Sequence, residues 1–182
     1  MLVALSGTPG TGKTSVSALL QNKGYTIINL NELAVDKGFV TGIDRKRNSK
    51  IIDIGGLNEY INDFCKTKEI VFIDGHASHL LSIVENVILL RCHPRELRNR
   101  LQKKDWPLEK IKENVDAETL DVILCEAVEC YPEEHIFEID TTNKTIKFVL
   151  LSVMEIVNSN FKLTKKYKIG KIDWSEEILK DF

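Results

Sequence analysis

The sequence predicts an α/β sandwich with a mostly parallel sheet, on three observations. Short runs rich in Ile, Val and Leu recur without polar alternation, as strands covered on both faces do. Stretches with helical spacing of apolar residues lie between them. The first run, 2–5, leads straight into GTPGTGKT at 7–14 and then into a helical stretch. That is the phosphate-binding pattern G-x-x-x-x-G-K-[ST] in its strand–loop–helix setting. At 182 residues the chain suits one domain with a real core.

The loop explains itself chemically. Its glycines let the backbone turn its amides inward, and the helix after it adds unpaired N–H groups and a positive dipole end. Lys13 is expected on the β- and γ-phosphates of a nucleotide, and the Thr14 hydroxyl on Mg²⁺. Composition narrows the rest. Hydrophobic residues at 43% and charged residues at 29% are ordinary for a globular chain, and a net charge of −2 makes any nucleic-acid contact a matter of a local patch. No secretory leader is expected where the first 20 residues hold the phosphate loop, and no apolar run reaches membrane-spanning length. Cys65, Cys92, Cys125 and Cys130 contain no C-x-x-C pair. No zinc knuckle is expected of them; they read as reduced core hydrophobes of a cytoplasmic protein. Neither an internal repeat nor a low-complexity segment stands out.

In chain order, strands are predicted at 2–5, 25–28, 70–73, 87–90 and 136–139. Helices are predicted at 13–22, 56–66, 95–104, 108–130 and 144–158. Between the second strand and the next long helix lies an insert. There Asn31 is placed to cap a short helix through Glu32, Leu33 and Ala34, ended by Lys37-Gly38. A basic stretch with Arg45 and Arg47 follows, then an extended segment at 51–54. Long connections are often binding loops. Arg45 and Arg47 read either as a phosphate grip or as a solvated charged loop.

The run 70–73 delivers Asp74 at a strand end, where phosphate-loop proteins place a second acidic group near Mg²⁺. Gly75 and His76 follow, and His76 is a candidate to orient water or bond a phosphate. With the phosphate loop present, function outweighs a turn-forming role for Asp74; His79 reads as structural or exposed. Arg91 ends the strand at 87–90, and Pro94 opens the helix after it. Of the arginines there, Arg91 and Arg100 are the choices for nucleotide contact, and Arg95 and Arg98 for solvent or surface ion pairs. The break at 103–108, with Lys104, Asp105 and Trp106, reads as a small lid or a plain connection. Pro107 opens a helix with an apolar stripe at Ile111, Val115, Leu120, Ile123 or Leu124, and Ala127. The stretch 140–143 is placed to cap the last long helix. The tail 161–182 interleaves Lys162, Lys165, Lys166, Lys168 and Lys171 with Tyr167 and Trp174. It reads as an RNA or protein contact, or as a surface segment pinned by Trp174, Ile178 and Leu179.

GTPGTGKT at 7–14, NLNELAVDKG at 29–38, DGH at 74–76, LLRCHPRELRNRL at 89–101 and KIKENVDAE at 110–118 together resemble one family. It is the small atypical adenylate kinases of the ribosome-assembly type (adenylate kinase isoenzyme 6 and its archaeal relatives). The resemblance covers about residues 1–130. It implies a P-loop nucleoside monophosphate kinase fold: a five-stranded parallel sheet flanked by helices, a monophosphate-binding insert at about 29–52 and a short lid at about 103–113. The kinase domain would occupy 1–160 and the tail 161–182. It implies transfer of the ATP γ-phosphate to AMP with broad nucleotide use, an ATPase activity and Mg²⁺. It also implies late maturation of the small ribosomal subunit, with rRNA processing, through transient binding of ribosomal protein uS11.

By position, the resemblance assigns Gly10, Gly12, Lys13, Thr14 and Ser15 to the ATP phosphates, Thr14 and Asp74 to Mg²⁺, and Lys13, Asp74 and His76 to catalysis. Asn29 and Leu33 would join Arg45 and Arg47 on the monophosphate. Two departures stand out. Lys104-Asp105-Trp106 replaces the family's lid Arg-Gly-Tyr, and a lysine offers a point charge where arginine offers a planar fork. Val35 stands where some members carry an arginine. The cysteine-lined zinc lid of other adenylate kinases is absent from the sequence.

Overall fold

A computed structural model describes residues 1–44, 49–65, 69–162 and 164–178. Five strands make the main sheet: β1 (Leu2–Ser6), β2 (Thr26–Asn29), β5 (Val71–Asp74), β6 (Asn86–Arg91) and β7 (Ile136–Asp140). Their order is β2-β5-β1-β6-β7, and every pairing is parallel. The predicted sheet is therefore present, each strand within about one residue of its predicted bounds.

Strand alternation splits the apolar residues between two cores. Val3, Leu5, Phe72, Ile88, Leu90 and Phe137 face one layer, built by α1 (Lys13–Asn22) and α7 (Ile146–Asn158). Leu2, Ala4, Ile73, Val87 and Leu89 face the other, built by α2 (Leu30–Asp36), α3 (Ile54–Phe64) and α6 (Val122–Cys130). Each fully buried Leu, Val or Ile contributes about 1.5–3 kcal/mol. A third, small core joins α4 (Pro94–Gln102) to α5 (Leu108–Thr119) through Leu97, Leu101, Ile111 and Val115, with Trp106 packed against it.

Several local expectations are corrected. The cap of α2 is Asn29, whose side chain accepts from the amides of Asn31 and Glu32; Asn31 lies inside the helix. The insert holds an antiparallel hairpin, β3 (Val40–Asp44) with β4 (Ser49–Ile52), where the sequence suggested only one extended segment. Alternating exposure along β3 left too few apolar residues to announce it. The stretch predicted as one helix from 108 to 130 breaks at Leu120–Asp121, where Asp121 takes a left-handed φ of 55°. Leu120 consequently points to solvent and leaves the apolar stripe. Thr145, not 140–143, caps α7 through the amide of Phe148. Of the four cysteines only Cys92 is fully buried; Cys125 and Cys130 are exposed.

Described residues of the tail pack on the sheet. The Glu138 amide donates to the Tyr167 carbonyl at 2.9 Å, and the Gly170 amide to Glu138 Oε2 at 2.9 Å, so the chain covers the β7 edge. Tyr167 is buried, and Trp174 stands edge-on to His93 at 5.1 Å. The short α8 (Ser175–Ile178) follows; Leu179 lies outside the described residues.

Candidate active site

The carboxyl ends of the parallel strands open into a cleft of about 1230 Å³, where ligands of such sheets bind. β1 delivers the phosphate loop into it. Gly7 has φ +134°, and a Cβ there would lie 2.3 Å from the Leu90 carbonyl oxygen. Gly10 has φ +100°, and a Cβ would stand 2.8 Å from Leu97 Cδ1. Both positions therefore demand glycine for backbone conformation and for room. Helix α1 starts at Lys13 behind Gly12 with no side-chain cap, which leaves its first amides free for an anion.

Lys13 folds back on its own loop. Its Nζ donates to the Gly7 carbonyl at 2.6 Å and to the Thr8 carbonyl at 3.1 Å. Burial lowers its pKa to about 8, against the opposing pull of Asp74 and Glu118. Opposite it, Asp74 ends β5 at 5% exposure. Burial raises its pKa, while Lys13 and the hydroxyls of Ser17 and Thr14 pull it down. Ser17 Oγ is near enough to stabilise the carboxylate's charge but makes no hydrogen bond of regular geometry, the one buried side-chain polar atom of that kind among the described residues.

This corner fits Mg²⁺. Its donors are hard oxygens, from the Thr14 hydroxyl and the Asp74 carboxylate, and the orphaned Ser17 hydroxyl leaves a polar group for the ion's water. Among the described residues no three His, Cys, Asp or Glu side chains converge as a metal cage. A cation here would lean on phosphate oxygens and water, as Mg²⁺ does.

His76 lies on the same side of the cleft, with its ring open to water. Surrounding protein, then Lys13 and His79, lowers its pKa, which favours the neutral ring with a lone pair for a proton.

Of the residues predicted from sequence, Gly10, Gly12, Lys13, Thr14, Ser15, Asn29, Asp74, His76, Arg100 and Lys104 all line this one cleft. Arg100 is largely occupied as a brace. It donates to the Thr141 carbonyl at 2.7 Å, pairs with Glu96, and reaches the carbonyls of Gly10 and Thr11 at 3.5 Å. Lys104 and Lys110 flank the Trp106 ring, 5.8 and 4.6 Å from its centroid.

Three expectations fare differently. Arg91 is not a nucleotide contact. It is 3% exposed, absent from the cleft lining, and its guanidinium is shared among Glu118, Glu138 and Asp121. Leu33 packs against the α2–α3 core and does not line the cleft. Arg45 and Arg47 lie outside the described residues. Arg95 does form the surface ion pair expected of it, 2.8 Å from Glu177, and Arg98 is exposed.

Sequence reasoning missed Glu118. Only 2% exposed, it accepts from the Thr8 hydroxyl of the phosphate loop, from the Cys92 amide at 3.0 Å and from Arg91. A signal existed: Ile111, Val115 and Glu118 share one helix face at i, i+4, i+7, so a carboxylate sits on the buried stripe. His79, read from the sequence as structural or exposed, is buried and hydrogen-bonded, and Glu126, which the sequence did not single out, also lines the cleft.

Comparison with known proteins bears on the family and the fold. The AAA domain family matches residues 3–121. A relative from Archaeoglobus fulgidus named "Putative adenylate kinase" is 42% identical over 98% of this chain and 94% of its own. A relative of the same name from Thermococcus kodakarensis is 40% identical over 97% and 94%. Shikimate kinase from Bacteroides thetaiotaomicron superposes with a TM-score of 0.56 at 15% identity, over 87% of this chain and 98% of that one. TT1252 from Thermus thermophilus gives 0.57 at 14%, over 88% and 97%. At such identities the two structures speak for the fold alone. Full-length identity to the archaeal proteins, together with an intact phosphate loop facing an acidic strand end, makes this chain a member of the atypical adenylate kinase family.

Proposed function

We propose that the protein is a nucleoside monophosphate kinase that transfers the γ-phosphate of ATP to AMP, with broad nucleotide use and a secondary ATPase activity. One observation carries this reading. The phosphate loop and Asp74 face each other in a cleft of about 1230 Å³, above the ~300–1,000 Å³ of ordinary single-ligand pockets. Donor and acceptor have room together. The names of the archaeal relatives support the same reaction.

In this mechanism the loop amides of 8–14 and the start of α1 hold the β- and γ-phosphates. Lys13 swings from the carbonyls of Gly7 and Thr8 to the phosphates and neutralises charge on the transferring group. Thr14 and Asp74 hold Mg²⁺, which when bound supplies positive charge to the phosphate oxygens. A phosphate oxygen of AMP attacks the γ-phosphorus, the bond to the β–γ bridging oxygen breaks, and two ADP result. The segment 29–52 serves as the acceptor-binding arm, with Asn29 on the cleft and Arg45 and Arg47 as further phosphate contacts. The segment 103–113 serves as the lid, with Lys104 over the phosphates. Residues 1–160 form the kinase domain, and 161–182 its C-terminal extension.

His76 favours the second activity. A ring held toward its neutral form, with Lys13 near enough to act on it, supports a role in orienting water when no AMP is present. An ATPase switch whose kinase activity is incidental is the alternative reading. Cytoplasmic action in late maturation of the small ribosomal subunit, with uS11 as transient partner, is supported by the resemblance of the sequence motifs alone.

The test follows ATP with and without AMP, measuring ADP and free phosphate separately. Two ADP per ATP consumed, dependent on AMP and with little free phosphate, is expected. Free phosphate that rises regardless of AMP would replace the kinase by the switch. Capture of purified uS11 by the ATP-bound but not the ADP-bound protein is the corresponding check of the partner.

A further inference from the structure

The phosphate loop is tied down from outside the cleft as well as from within. From within, Nζ of Lys13 donates to the Gly7 and Thr8 carbonyls at 2.6 and 3.1 Å. From outside, the Thr8 hydroxyl donates to Oε2 of Glu118 on α5, 110 positions further along the chain. Thr8 lines the cleft. Glu118 does not, and at 2% exposure no nucleotide meets it. The other oxygen of its carboxylate, Oε1, accepts from Nε of Arg91 at 2.8 Å and from the Cys92 amide at 3.0 Å, with Trp174 Nε1 at 3.4 Å. Oε1 thus fastens Glu118 at the end of β6 and leaves Oε2 to hold the loop.

Nucleotide acts differently on the two ties. A lysine that moves to the phosphates gives up both loop carbonyls. Glu118, out of the ligand's reach, keeps the Thr8 hydroxyl. Thr8 matters for the shape of the loop, because its carbonyl also accepts from the Thr11 hydroxyl at 2.9 Å and from the Thr11 amide at 3.2 Å. Those bonds close the turn that leads into Gly12 and the first amides of α1. A Thr8 fixed by its side chain keeps this turn in place before ligand arrives and after Lys13 has left. Phosphate then meets a loop that has little order left to gain, and preorganisation of that kind tightens binding.

We propose that Glu118 is a positioning residue for nucleotide binding: through the Thr8 hydroxyl it holds the phosphate loop in its anion-receiving shape when Lys13 leaves for the phosphates. The ATP readout of this role rests on the nucleotide reading above; the loop readout does not.

The experiment varies Thr8 in the full chain, so that Arg91 keeps its buried partner and the pull of Glu118 on Lys13 stays. Thr8→Val keeps the shape of the side chain and removes the hydroxyl. Thr8→Ala removes it too and leaves room for water at Oε2, which spares folding where a methyl against a carboxylate does not. Thr8→Ser keeps the hydroxyl and loses only a methyl group. Calorimetry with Mg²⁺ and ATP is expected to show Kd raised about tenfold in Thr8→Val and Thr8→Ala, as the loss of one hydrogen bond to a charged group does. KM for ATP should rise with it while kcat stays near that of the unaltered chain, because the tie acts on bound substrate and transition state alike. Thr8→Ser is expected to bind and turn over as the unaltered chain does. An unchanged Kd in folded Val and Ala variants with only a lower melting temperature would make the tie merely structural. A serine variant as weak as alanine, or a fall in kcat at constant KM, would overturn the proposal as well.

Hydrogen exchange at the Thr11 amide in the nucleotide-free protein gives the second readout. Exchange is expected to run about tenfold faster in the Val and Ala variants and at the original rate in Thr8→Ser, since a loosened turn opens more often. Weaker ATP binding without faster exchange would mean that an unpaired carboxylate repels the triphosphate, and would reject positioning. Faster exchange in a protein whose unaltered form binds no ATP would reject the nucleotide reading and keep the hold of Glu118 on the loop.

Discussion

β5 and β6 flank β1 on either side, both are buried along their length, and both end in a charged residue at the cleft end of the sheet. Asp74 ends β5 and Arg91 ends β6. Asp74 is followed by Gly75, which keeps the backbone close: a Cβ there would stand 2.9 Å from Leu30 Cβ. The chain then turns along the cleft through His76, and the carboxylate borders open space. Arg91 is met by Glu118 of α5, by Asp121 in the turn between α5 and α6, and by Glu138 of β7, which close around it. One strand end opens on the cleft and the other is a buried knot. A charge at a strand end stays available to a ligand only where neighbouring elements do not close around it.

The knot nevertheless serves the site. Glu118 also holds the Thr8 hydroxyl, and Trp174 Nε1 lies 3.4 Å from the same carboxylate. The phosphate loop, α5 and the C-terminal segment are therefore fastened at one point.

The largest expected effect tests this contrast directly. Arg91→Ala leaves Glu118 and Glu138 buried without their cation and should cost about 3–5 kcal/mol of stability. Urea denaturation would show it as a lowered midpoint at unchanged slope. ATP affinity of the folded fraction should change far less. A stable variant with lost ATP binding would make Arg91 a ligand contact after all.

His76→Ala comes next. Removing a neutral base from the open strand end should lower ATP hydrolysis about 100-fold while ATP binding, followed by calorimetry, stays nearly constant. Equal loss of binding and hydrolysis would make His76 a phosphate ligand instead.

A pH series gives a smaller, graded effect. The pKa of Lys13 is lowered to about 8, so its ammonium is present below that pH and lost above it. The charged form binds triphosphate. Affinity for ATP should fall by up to about tenfold per unit above about pH 8, and level off above the higher pKa that Lys13 takes beside bound phosphate. Affinity that stays flat to pH 10 would show that Lys13 carries its full charge in the free protein.

Arg95→Ala is the smallest. Its pair with Glu177 sits on the surface, with the arginine 65% exposed, and should be worth less than about 1 kcal/mol. A larger loss of melting temperature would mean that the C-terminal segment depends on this pair more than on buried Tyr167.

Much of this was legible in the chain, and the reasons are local. Five strands were readable because a strand covered on both faces needs an unbroken run of Ile, Val and Leu. The phosphate loop was readable because its glycines, lysine and threonine act within eight successive residues. Asp74 and His76 were readable because they follow a strand at once. The hairpin in the insert was not, because its strands are short and half exposed. The break at Asp121 was not, because a non-glycine residue in a left-handed turn has no strong sequence mark.

By itself, then, the sequence determined the parallel sheet, the loop that holds phosphate and the acidic strand end opposite it. Each depends on residues adjacent in the chain, where backbone conformation and apolar burial act directly. Only the tertiary structure decided which charges remained available. Arg91 meets Glu118, Asp121 and Glu138 across 27, 30 and 47 residues, and His79 meets Ser6 and Glu126 across 73 and 47. Such partners are chosen by the packing of helices and strands distant in sequence, and no local pattern records them.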